Sequence, residues 1–87
     1  MNGFKSDLQE IGKRVMRARK RKGFSQRSFS KACGIDRSYY RGIERGEYNF
    51  TYNVLARMCI ALQTDIPSLT KGLPDAAGRS IMKSGEV

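Results

Sequence analysis

Three glycines, Gly23, Gly34 and Gly46, punctuate the first half of the chain, and each follows a stretch whose apolar residues recur at helical spacing. Glycine enters the left-handed backbone region without a Cβ penalty, so it stops helices and turns the chain. With stops this closely set, only short helices fit between them. The period-two alternation of a strand is absent, as are internal repeats and low-complexity tracts. The expectation is an all-α fold, a compact bundle of four or five short helices.

The segments can be placed one by one. Leu8, Ile11, Val15 and Ala18 share one face of a first helix over about 6–22, with Ser6 or Asp7 as its cap and a basic last turn before Gly23. Ser25 caps a second helix in which Phe29, Ala32 and Cys33 point inward and Gly34 makes a tight turn. Asp36 caps a third, DRSYYRGIERG, with Tyr40, Ile43 and Glu44 on one side and Arg37, Ser38 and Arg41 largely on the other. Thr51 caps a fourth, carrying Leu55, Met58, Cys59 and Leu62, and Asp65-Ile66-Pro67 opens a very short fifth in which Leu69 closes the core. The periodic pattern ends near Thr70. Residues 1–70 are therefore expected to form the domain, with 71–87 as a flexible tail.

Charge narrows the partner. Residues 1–46 hold 13 basic and 4 acidic side chains and residues 47–87 hold 4 of each, so the whole formal excess of +9 lies in the first half. That asymmetry suits a polyanion. No apolar run approaches the roughly 18 residues of a membrane span, and the acidic MNGFKSDLQE start is unlike a secretory signal. Without histidine the commonest general base is missing, and two cysteines, Cys33 and Cys59, with no CxxC pair suit neither a disulfide scaffold nor a zinc site. Both fall on core-facing positions. Neither catalysis nor a metal or cofactor is expected, and the thiols fit a cytoplasmic protein.

Residues 26–46 form a short helix, a glycine-centred turn and a second capped helix with a polar, basic outer face, which is the layout of a helix-turn-helix. The run IGKRVMRARKRKGFSQRSFSKACGIDRSYYRGIERG, continued by YNFTYNVLARMCIALQTDIPSLT, resembles the Cro/repressor-type, lambda-repressor-like helix-turn-helix family over residues 8–70. Gln26 opens the scaffold helix, Phe29 takes a usual leucine place, and Gly34-Ile35 forms the turn. The resemblance implies that Arg19 on the first helix pairs with Glu44. Two positions depart from the pattern. Ser30 replaces a small alanine and needs a backbone acceptor for its hydroxyl, and Tyr40 replaces a branched aliphatic. IDRSYYRGIERG looks most like restriction–modification controller proteins, small dimeric regulators of their own and neighbouring genes; phage and prophage repressors use similar strings.

Base reading is expected from Arg37, Ser38, Tyr39 and Arg41. Arg37 follows the Asp36 cap, and an arginine there can bond both O6 and N7 of a guanine. Helical spacing through Ile43 puts Tyr40 in the core and leaves Tyr39 outward, placed for a thymine methyl or a phosphate. Gly42, at about 1 kcal/mol below alanine inside a helix, suggests close backbone approach to DNA or clearance for Arg41. Phosphate contacts are expected from Ser25, Gln26 and Arg27 at a helix N-terminus, where free N–H groups and the dipole favour an anion, and from Tyr48 and Asn49 in the next loop. In the basic run Arg14, Arg17, Lys20, Arg21 and Lys22, most side chains form a solvated face. An apolar patch of Ile60, Ile66 and Leu69 is the expected dimer surface.

The function expected is a sequence-specific, double-stranded DNA-binding transcription regulator acting as a homodimer on a pseudo-palindromic operator. Its partners would be DNA, a second copy and, as a candidate contact, RNA polymerase, with no membrane and no small-molecule ligand. The alternatives are a phage or prophage regulator, the helix-turn-helix antitoxin of a toxin–antitoxin pair, and a basic RNA-binding or membrane-surface protein.

Overall fold

The computed structural model describes residues 4–74. Within them the chain forms five helices: α1 (Lys5–Arg21), α2 (Gln26–Cys33), α3 (Arg37–Glu44), α4 (Tyr52–Leu62) and α5 (Ile66–Thr70). Local chemistry sets most of their ends. Ser25, Asp36, Thr51 and Asp65 each accept a hydrogen bond from the backbone N–H three residues on, satisfying one of the donors that the first helical turn leaves unpaired. At α2 the cap is reciprocal, because the Ser28 hydroxyl also accepts from the Ser25 N–H. Helix α1 departs from expectation: Phe4 occupies the cap position without a side-chain bond, and Asp7 lies buried in the first turn, not ahead of it.

The C-terminal stops behave as the glycine spacing predicts. Gly34 has φ 70° and Gly46 has φ 73°, both left-handed. Gly46 is constrained a second time, since a Cβ there would lie 2.6 Å from Cα of Gln9 on α1. Helix α4 ends on Gln63, which takes φ 58° without being glycine.

Helix α1 is the spine. It packs α3 against one side and α4 with α5 against another, while α2 bridges α3 and α4. Val15, Phe29, Tyr40, Ile43 and Met58 are fully buried at the centre. Phe24, Phe29 and Tyr40 meet edge to face with centroids 5.3 and 5.1 Å apart, contacts that contribute about 0.5–1.5 kcal/mol each beyond their buried area. Ser30 is buried, and its hydroxyl donates to the Arg27 carbonyl at 3.1 Å, which supplies the acceptor the position requires. Ala32, expected inward, is exposed, because the inward stripe of this short helix runs through Phe29, Ser30 and Cys33.

The tight crossing of α1 and α3 depends on a residue whose importance the sequence did not signal. Gly12 is buried at the crossing, and a Cβ on it would sit 2.5 Å from the Ile43 carbonyl oxygen and 2.6 Å from that of Glu44. Only a residue without a side chain allows the two backbones so close. Arg57 supplies another unforeseen link: its guanidinium donates to the carbonyls of Cys33 and Gly34 at 3.4 and 3.3 Å, tying α4 to the α2–α3 turn. Past α5 the chain remains packed for a few residues, with Arg14 donating to the Lys71 carbonyl at 2.8 Å and Leu73 resting on the core. The rest of the expected tail lies outside the described residues.

Candidate nucleic-acid interface

Helix α3 has two faces of opposite character. Its inner face buries Tyr40 and Ile43 and carries Glu44 down to Arg19 on α1. Nε of Arg19 lies 2.6 Å from a Glu44 carboxylate oxygen, with both side chains all but buried. The same carboxylate accepts from the Tyr40 hydroxyl and, at 2.9 Å, from the Gln26 side-chain amide. A second guanidinium nitrogen of Arg19 donates to the Phe24 carbonyl at 2.8 Å. Burying an ion pair costs desolvation unless the remaining donors and acceptors are satisfied, and here they are. No side-chain polar atom buried in the described residues lacks a partner.

The protonation of this hub follows from its packing. Burial pushes the Glu44 carboxyl upward, but the bonds from Arg19, Tyr40 and Gln26 outweigh it and hold the group below its ordinary value. Burial, reinforced by the bond to Glu44, pushes the Tyr40 phenol well above the usual range. The bond to Glu44 likewise raises Arg19, against its own desolvation. Glu44 is therefore an anion at neutral pH, joining α1, α2 and α3. It sets the angle at which α3 leaves the body of the protein.

The outer face of α3 is open. Arg37, Ser38 and Arg41 are all exposed, on a helix whose first turn is held by Asp36 accepting from the Tyr39 N–H at 3.1 Å. None of the three forms a hydrogen bond or ion pair with another described side chain. Arg37 sits at the first helical position, where the dipole disfavours a cation.

Tyr39 does not face outward as expected. It is half-buried, and its hydroxyl donates to the Asn49 carbonyl at 2.9 Å while its ring stacks on Tyr48 at 5.8 Å and 15°. Spacing through Ile43 settled which tyrosine of the pair entered the core, but not that the loop after α3 would fold back over the other. Tyr39 thus braces that loop, with its proton committed to the backbone. Gly42 has the same cause. A Cβ there would overlap the Tyr48 ring, so a neighbouring aromatic accounts for the glycine without DNA or Arg41. Tyr48 remains 48% exposed and Asn49 is exposed, so both stay accessible beside α3.

At the start of α2, Ser25 is engaged in its cap and Arg27 is exposed. The amides of Gln26 and Arg27 occupy the first turn, where a helix offers no carbonyl partner. The Gln26 side chain, by contrast, is tied to Glu44, so its expected role as a phosphate donor is shared with a structural one.

The apolar patch divides. Ile60 is 76% exposed and Ile66 half-buried, whereas Leu69 is only 3% exposed and closes the core between α1 and α5. Leu69 is therefore a core residue and not part of a dimer surface. Cys33 and Cys59 are both buried; burial pushes the Cys33 thiol up to about 11 and also raises that of Cys59, which leaves neither reactive near neutral pH. Among the described residues no three of His, Cys, Asp and Glu come together as a metal site, and no helix is long and apolar enough to cross a membrane.

Comparison with known proteins agrees with this geometry. The helix-turn-helix family HTH_3 matches residues 15–69. The crystal structure of the restriction-modification controller protein C.AhdI from Aeromonas hydrophila superimposes with a TM-score of 0.71 and 34% identity, covering 74% of this chain and 97% of that one. The clp gene regulator ClgR from Corynebacterium glutamicum matches in fold, with a TM-score of 0.70 and 24% identity over 92% of this chain and 82% of its own. So does a point variant of the restriction-modification controller protein C.Esp1396I, with a TM-score of 0.68 and 22% identity over 88% and 92% of the two chains. No curated protein sequence matches. By a family match over well more than half its length, and by its likeness to the Aeromonas controller protein, this chain belongs to the helix-turn-helix family of DNA-binding regulators.

Proposed function

We propose that the protein is a transcription regulator of the restriction–modification controller kind, binding a pseudo-palindromic operator as a homodimer with one α3 in the major groove of each half-site. The observation that carries this reading is the division of α3: a buried inner face bolted to Arg19, and an exposed outer face presenting Arg37, Ser38 and Arg41 free of side-chain partners among the described residues. Arg37 leads, because the first exposed guanidinium of an incoming helix can bond a guanine at two points. Ser38 and Arg41 read or anchor the flanking positions. Tyr39 acts through the loop it braces, positioning Tyr48 and Asn49 against the phosphates. The α2 N-terminus, with Ser25, Gln26 and Arg27, supports a second phosphate contact.

The dimer is proposed to form through Ile60 and Ile66. Ile60 stands beside a shallow groove of about 330 Å³ lined by Phe24, Ala32, Gly34, Arg57 and Ala61. A two-fold axis there would set the two recognition helices roughly 34 Å apart, one turn of DNA. On DNA such a dimer acts in the cytoplasm, and its exposed flanks are open to RNA polymerase. No catalytic step is involved.

Selection of bound duplexes from a random pool should return two inverted half-sites. On the selected duplex, Arg37→Ala should lose about 1–3 kcal/mol of discrimination at one base pair per half-site while binding a scrambled duplex as before. Equal losses on both duplexes would refute the assignment.

A further inference from the structure

A second cationic site lies on the far flank of α1. Val15 and Arg19 point toward α3; Arg14, Arg17 and Arg21 follow at positions about 140° round the helix, at 3.6 residues per turn. They and Lys22 line a cavity of about 310 Å³ closed on its other side by Gln63, Thr64 and Ser68. No carboxylate lines it. Arg14 is spoken for: it donates to Glu10 at 2.9 Å and to the carbonyls of Leu69 and Lys71, and so holds α5 in place as the cavity wall. Arg17 and Arg21 form no hydrogen bond or ion pair with any described residue, although Glu10 acts on Arg17 through space.

Like charges four positions apart on a helix repel, and the cavity gathers several of them along one wall. An anion seated between them relieves it. The rim carries a second irregularity. Gln63 adopts the left-handed conformation without being glycine, and its side-chain oxygen accepts from Lys22 at 2.7 Å, which draws that ammonium to the cavity edge. That left-handed backbone closes the C-terminus of α4, with the Thr64 N–H donating to the Cys59 carbonyl at 2.9 Å.

We propose that this cavity is a binding site for a small oligophosphate, either an inorganic chain or the phosphate tail of a nucleotide. Arginines four positions apart, about 6 Å along the helix axis, match an anion with several charged centres better than a single ion. Ser68 donates its hydroxyl and backbone N–H to Asp65, so the donors left for phosphate oxygens are the planar guanidinium groups with the Thr64 hydroxyl and the Gln63 amide. The volume is that of a small-ligand pocket and not of a duplex surface. A ligand there would touch α1, α4 and α5 without contacting α3. It would thus leave the recognition face open while bearing on the Ile66 side of the proposed dimer surface. The site does not depend on the DNA-binding reading.

The test is titration of the full chain at about 150 mM salt, where exposed charges are screened beyond roughly 8 Å, with inorganic tripolyphosphate and, separately, adenosine triphosphate, followed by amide chemical-shift mapping. Saturable shifts centred on Arg17, Arg21, Gln63, Thr64 and Ser68 are expected. If both probes bind alike, the phosphate chain alone is recognised; if only the nucleotide saturates, the base contributes. Either result supports the site. The double variant Arg17→Gln, Arg21→Gln, whose exposed side chains bond no described residue, should weaken binding at least tenfold with an unchanged melting curve. Arg37→Gln should leave binding as it was. Shifts centred on α3 and the α2 N-terminus, equal binding by the double variant, or tighter binding of an oligoglutamate peptide than of tripolyphosphate would each overturn the proposal.

Discussion

Tyr39 and Tyr40 are adjacent in the chain, identical in chemistry and opposite in role. Tyr40 is fully buried, packs on Phe29 of α2 and donates its hydroxyl to Glu44 on its own helix, the carboxylate that Arg19 of α1 holds. Tyr39 stands one residue away on the rim, bonds a loop carbonyl and stacks on a half-exposed ring. The same division holds for whole regions. Beneath α3, an ion pair, a phenol and an amide share one carboxylate in a nearly dry setting. Above it, the cations are exposed and bond no other side chain among the described residues. The lower region holds the helix rigidly, and rigidity there is what allows a few exposed side chains above to meet a duplex in register.

The sharpest way to break the lower region is to remove its anion. Glu44→Ala leaves the buried Arg19 guanidinium uncompensated and should cost about 3–5 kcal/mol, measured by urea denaturation, with DNA binding lost alongside. A cost near zero would mean that the hub is ornamental. Gly12→Ala comes next. Its gain in helix propensity is outweighed by overlap with the Ile43 and Glu44 carbonyls, for a net loss of about 1–3 kcal/mol. Acid should erode the same region. Because Glu44 is held below its ordinary value of 4.5 in the folded protein, its stabilisation is complete above that value and is lost as pH falls through the lowered one. Glu44→Gln should remove that contribution to acid unfolding.

The upper region should respond in function before stability. Tyr39→Phe removes one exposed-rim hydrogen bond and should cost about 0.5–1.5 kcal/mol, yet loosen Tyr48 and Asn49 enough to lower DNA affinity measurably in an electrophoretic shift titration. Smallest in stability is Arg37→Ala, expected within about 0.5 kcal/mol of the parent by thermal melting because its side chain is exposed and bonds no described residue. A marked loss of stability there would show that Arg37 is structural and would blur the division on which the comparison rests.

The sequence was most legible where cause and effect lie within one turn. Ser25, Asp36, Thr51 and Asp65 act on a backbone N–H three residues away, so their caps and the helices behind them could be read directly. The absence of such a signal at Phe4 is also why the start of α1 was misplaced by a turn's edge. The core stripe of α4 followed from spacing alone. On α2, a helix of eight residues, spacing left Ala32 on the wrong side, because so short a stripe is set by what packs on it.

What the chain determined by itself, then, was the order of its helices, most of their caps, the glycine stops and the concentration of cations in its first half. These depend on backbone sterics, neighbouring hydrogen bonds and charge count, none of which requires knowing where distant residues lie. Only the tertiary structure decided that Gln26 would share Glu44, that Tyr48 would lie over Gly42, that Tyr39 would bond the Asn49 carbonyl and that Arg57 would tie α4 to the α2–α3 turn. Each of those joins residues from different helices or loops. Such pairings depend on crossing angles and close packing, which periodicity along one helix does not encode.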